Sequence, residues 1–149
     1  MTVAETEASP MAPLGGRFAR ARRVGASLHL LLAVLIAAAV FVQVYLIGGY
    51  IFGAGVGALE AHASLGWVTH TAEMALVIAA VLAWLPRTDM LLSVALVVIG
   101  TGQVVLAGSV EWLGALHPLF ALIVLGISAA LAHRGARRRG RRIVPGRRS

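Results

Sequence analysis

Four stretches of this chain are too long and too apolar to be ordinary core helices: Leu28–Ile47, Leu65–Leu85, Met90–Ala107 and Leu113–Leu131. Each has about the 20 residues a helix needs to cross a hydrocarbon layer about 30 Å thick. Lipid offers no water to a stray backbone group, so a spanning segment is either a helix or a strand of a closed barrel. Barrel strands are about 10 residues long and alternate in polarity, which these runs do not. The sequence therefore predicts an all-α integral membrane protein. Short turns between the runs predict a four-transmembrane-helix, up-down-up-down bundle. Composition agrees, with 59% hydrophobic residues, 13% charged and a mean hydropathy of +0.87.

Three regions follow: a disordered, basic N-terminal segment over 1–27, a four-helix domain over 28–133 with helices at about 28–47, 65–85, 90–107 and 113–131, and an Arg-rich tail over 134–149. The chain has 13 Lys and Arg in all, and every one is Arg. They stand before the first run, in the Pro86–Asp89 turn and after the last run, with none in Gly48–Ser64 or Gly108–Trp112. By the positive-inside rule both termini face the cytoplasm of a bacterial plasma membrane. The first run exceeds a normal signal-peptide core and reads as a span. The same rule accounts for a pI near 11.7 without nucleic acid. The expected partners are the lipid bilayer and, at the tail, anionic lipids. Small-residue faces at Gly48-Gly49 and Gly53-Ala54-Gly55 would admit a second copy or a partner membrane subunit. There is no cysteine, which excludes disulfides and thiolate metal sites.

The informative residues are the polar ones inside the apolar runs. Gln43, His70, Gln103 and His117 each fall four or five residues inside the outer end of their run, one per helix. At about 1.5 Å per residue they form one layer. Glu73 hangs one turn below His70, and a carboxylate at that depth costs on the order of 3 kcal/mol unless it is protonated or paired. His70 is its nearest candidate partner. Gly66, His70 and Glu73 share one stripe of the second helix. His62 is expected at the interface, and His29 and His133, near arginines, are given no role.

His70 and His117 lie on diagonal helices, close enough for two imidazoles reaching inward to hold a macrocycle by its iron. Gly66 and Ala121 leave room for the ring face, and Gln103 and Gln43 line it. With no CxxCH motif such a haem is non-covalent, b-type. The runs GQVVLAG (Gly102–Gly108) and ALHPLFALIVLG (Ala115–Gly126) resemble a group of small four-helix actinobacterial membrane proteins of unknown function. More distantly, the arrangement resembles one four-helix half of haem A synthase. That resemblance implies a histidine pair from the second and fourth helices, matching His70 and His117, and a third-helix glutamine matching Gln103. In that family the carboxylate precedes the second-helix histidine, whereas Glu73 follows His70. The resemblance thus implies a haem-holding module for electron transfer or redox sensing rather than haem a synthesis. Two other readings stay open: a cofactor-free accessory or structural protein with the layer as interhelical glue, and a small transporter or proton-path subunit using Glu73. No motif assigns a catalytic residue.

Overall fold

The computed structural model describes residues 14–108 and 111–143, all of the regular structure in them being helix. The elements are α1 (Leu14–Ile51), α2 (Val56–Ala83), α3 (Arg87–Ala107), a single turn α4 (Glu111–Gly114) and α5 (His117–Ile143). Four of them, all but α4, are long and apolar enough to cross a membrane.

Every long helix outruns its apolar core. Residues 14–27, expected to be disordered, form the first turns of α1, because Arg, Ala and Leu are good helix formers once a spanning helix supplies the nucleus. The N-terminal residues before Leu14 lie outside the described residues. The tail continues α5 as far as Ile143, for the same reason, and the residues after it lie outside the described ones. The largest difference is at α2, which starts at Val56 instead of Leu65. The segment VGALEAHAS is too mixed in polarity for a hydropathy window, yet its Ala, Leu and Glu favour helix. The long Gly-rich loop expected over 48–64 shrinks to residues 52–55. There Gly53 takes φ +93°, which lets Ala54 N–H reach back to the Gly49 carbonyl at 2.8 Å and close α1.

The α2–α3 turn is closed differently. Trp84 caps α2 in the left-handed region at φ 51°, and Leu85 N–H donates to the Ala80 carbonyl at 3.1 Å. A side chain there is strained. The Arg22 guanidinium lies 5.7 Å from the Trp84 ring centroid, a cation–π contact holding that turn to α1.

Around the bundle, α1 lies against α2 and α5, and α3 lies against α2 and α5. The diagonals are therefore α1/α3 and α2/α5. Neighbours run antiparallel: Gly25 meets Ala79 and Ala83, while Gln43 meets Gly66. One end carries the arginines and the other the 52–55 turn. The two ends are packed differently. Ala33, Ile36, Val40, Leu76, Leu96, Val124 and Leu131 form one buried cluster in the middle and toward the arginine end. Among the described residues, none from 41 to 68 or from 101 to 123 is buried. The far end of the bundle is open, and Leu31, Phe41, Trp67, Ile78, Leu91 and Val98 expose an apolar outer surface suited to lipid.

Candidate functional site

The polar side chains gather at three levels. At the open end, His62 projects from α2 and His117 begins α5. Their ring centroids are 6.1 Å apart and the planes meet at 61°. His62 Nδ1 lies 3.0 Å from the Gln43 carbonyl, and His117 Nδ1 lies 3.1 Å from the Gln103 carbonyl. A carbonyl only accepts, so His62 Nδ1 carries the proton and donates it, whereas His117 Nδ1 also lies 2.9 Å from the oriented Gln103 amide nitrogen, which donates to it. His62 Nε2 is then left with its lone pair, aimed away from α1. The Gln103 amide, oriented to satisfy its neighbours, bridges the first turn of α5. Its nitrogen donates to the His117 carbonyl at 2.8 Å and its oxygen accepts from Ala121 N–H at 2.7 Å. A Cβ at Gly66 would meet only the Gln43 side-chain oxygen, at 3.6 Å.

One level deeper, His70 Nδ1 and Glu73 Oε2 are 2.9 Å apart. Glu73 is 2% exposed, and the pair fills the place of a missing side chain on α3. A Cβ at Gly100 would sit on the Glu73 carboxyl group and 2.9 Å from His70 Nδ1. The sequence placed His70 in the outer layer because it started α2 at Leu65. With the helix beginning at Val56, His70 lies about 21 Å from its start, and His62 takes the place at the outer level. The ring that meets His117 belongs to His62. Gln43, Gln103 and His117 do share that level, whereas His70 is joined to Glu73 below it.

The third level is at the arginine end and was not read from the sequence as a cluster. His29 is 1% exposed and its Nε2 lies 3.0 Å from Ser93 Oγ, across the α1/α3 diagonal. Ser93 spends its single proton on the Asp89 carbonyl at 2.7 Å, so His29 must be the donor to Ser93. Asp89 is fully buried and meets two guanidinium groups, Arg134 Nε at 2.5 Å on Oδ1 and Arg138 on Oδ2. Arg134 and Arg138 are four residues apart on α5 and so share a face. The only available signal was an acid placed directly after a turn on the arginine-rich side.

Among the described residues no group of three or more His, Asp or Glu side chains is arranged to hold a bare metal ion. The two-histidine arrangement is a different matter. Two imidazoles on opposite sides of one metal ion, each at a metal–nitrogen distance of about 2 Å, place their ring centroids about 6 Å apart. His62 and His117 have that spacing, and a carbonyl-anchored Nδ1–H, as at His62, is the usual second support of a metal-bound histidine. In spacing the two imidazoles fit an iron macrocycle, which His62 and His117 would hold. No protein-family model, no curated protein and no solved structure matches this chain.

Proposed function

We propose that this chain is a four-span protein of the bacterial plasma membrane, with both termini cytoplasmic, that holds a b-type haem between His62 and His117 for electron transfer or redox sensing. The observation that carries the reading is the 6.1 Å spacing of the two imidazoles, with His62 held through its Nδ1–H by the Gln43 carbonyl. When bound, the haem supplies one-electron redox chemistry.

The protein's own part is to position and tune. The Gln43 carbonyl fixes the tautomer and ring orientation of His62 and raises its basicity, and the Gln103 backbone and amide groups hold the His117 ring in place. Because the carbonyls sit on α1 and α3, all four helices take part in aiming the pair. Gln103 also stiffens the first turn of α5, from which His117 projects. The resemblance to one half of haem A synthase matches His70 and His117, so for His62 the support is the ring spacing alone. The arginine-rich end lies against the cytoplasmic leaflet, where Arg side chains meet anionic headgroups.

A visible spectrum tests this. Detergent-purified protein supplied with haem b is expected to show a Soret band, and sharp bands on reduction. His62→Ala and His117→Ala are each expected to abolish them, and His70→Ala to leave them in place. Bands that survive His62→Ala but vanish in His70→Ala would return the ligand to His70. A protein that stays colourless when given haem would overturn the reading altogether.

A further inference from the structure

The His70–Glu73 pair is left over by the proposed haem site, and its surroundings give it a use. Among the described residues it is the only titratable cluster in the middle of the bundle. No titratable side chain lies between His29 and Tyr45 on α1, between Asp89 and Ala107 on α3, or between His117 and His133 on α5. The charged and titratable groups that bracket the pair are His62 and His117 above, and His29, Asp89, Arg134 and Arg138 below. Tyr45 points outward, at 78% exposure. Nothing of charge lies between the pair and the level of His62 and His117, so a change of charge at that level is felt first by the pair.

The distance is short enough to matter. His62 and His70 are eight residues apart on one helix, about 12 Å along its axis. A unit change of charge at about 12 Å, with an effective dielectric near 20, alters a proton affinity about tenfold. Access is one-sided. Above the pair, Gly66, Gln43 and Gln103 line the open end, where no described residue is buried. Below it, Ile36, Leu76, Leu96 and Val124 form an apolar plug that separates the pair from Ser93 and Asp89.

We infer that the His70–Glu73 pair takes up a proton from the open side of the bundle when an electron arrives between His62 and His117, and returns it to the same side when the electron leaves. The inference rests on the haem reading above. The balance is simple. A one-electron reductant outside the protein supplies the electron, and solvent at the open end supplies the proton. The proton forms an O–H bond at Glu73 or an N–H bond at His70, so the charge inside the bundle is unchanged. Gly100 makes this possible, since it leaves space for the two side chains to lie together against α3.

The test is a redox titration of the full chain loaded with haem b, from about pH 5 to about pH 9, a range that spans the ordinary value of an imidazole. The wild-type midpoint potential is expected to fall with rising pH over part of this range, by about 59 mV in total, the one-electron equivalent of that tenfold change in proton affinity. Glu73→Gln is expected to flatten the slope while leaving the absorption bands, and hence the fold and ligation, unchanged. An infrared difference spectrum of the wild type, oxidised minus reduced, is expected to carry a deuterium-sensitive carboxyl or imidazole band that Glu73→Gln removes. A coloured protein with a flat wild-type titration, or a slope and infrared band that persist in Glu73→Gln, overturns this inference alone. A protein that binds no haem overturns the site on which it rests.

Discussion

Replacing Arg134 and Arg138 together with leucine is expected to destabilise the bundle by about 3–5 kcal/mol, the cost of leaving a buried charge without its partners. The converse change, Asp89→Ala, is expected to cost clearly less. The difference lies in burial. Asp89 is 0% exposed, whereas Arg134 and Arg138 are 43% and 31% exposed. Stripped of Asp89, the two part-exposed guanidinium groups swing outward on their long stems. Stripped of the arginines, the carboxylate has nowhere to go, because α3 holds it directly beneath the Pro86 turn. Adding Asp89→Leu to the double variant should recover most of the loss, since an apolar side chain replaces the stranded charge. Thermal unfolding followed by circular dichroism in one detergent measures all three. If Asp89→Ala is the most damaging, Asp89 is not the buried anchor of this end.

That cluster also shows what the sequence could reveal. Runs of Leu, Val, Ile and Ala announced four membrane-length helices, because hydropathy over about 20 residues needs no knowledge of tertiary contacts. The ends of the helices were harder to read. VGALEAHAS and the arginine-rich flanks are helical through propensity and through continuation of an existing helix, and neither leaves an apolar signal. The earlier start of α2 bears on the site: with α2 beginning at Val56, the ring that meets His117 is His62, and His70 lies about two turns further along, against Glu73.

The remaining polar residues divide in the same way. Glu73 was legible as an anomaly, since a carboxyl group in an apolar run demands a partner, and His70 at i−3 was the one available on its own helix. His29 was not legible. Its partner Ser93 is 64 residues away on a diagonal helix, and proximity to arginines in sequence made it look like an interfacial residue. Asp89 was hidden by its turn. Nothing local shows that its side chain folds inward to meet α5, 45 residues later.

Gly25 is the position where the smallest change is expected to do the most. A Cβ there would lie 2.8 Å from the Ala83 nitrogen, 3.1 Å from the Ala79 carbonyl oxygen and 3.1 Å from the Leu82 carbonyl carbon. All three are backbone atoms of α2, so no rotamer change relieves the clash and the two helices must separate. Ala79, Ala80 and Ala83 provide the matching small surface, and helices in lipid associate largely through such close packing. Gly25→Ala is expected to cost about 1–3 kcal/mol, as for an overpacked core. Gly25→Leu is expected to prise α1 from α2 at the arginine end and to cost more than the alanine. Gly135 supplies the control. A Cβ there meets Leu30 at 3.1 Å, but the atom met is the end of a flexible side chain, which can turn aside. Gly135→Ala should therefore be nearly neutral. The comparison is made on unfolding midpoints in one detergent, and equal losses at the two glycines would mean that α1 and α2 do not touch through their backbones. Loosening at Gly25 should leave the absorption bands intact, because His62 and His117 sit at the opposite end of the bundle, beyond the apolar plug.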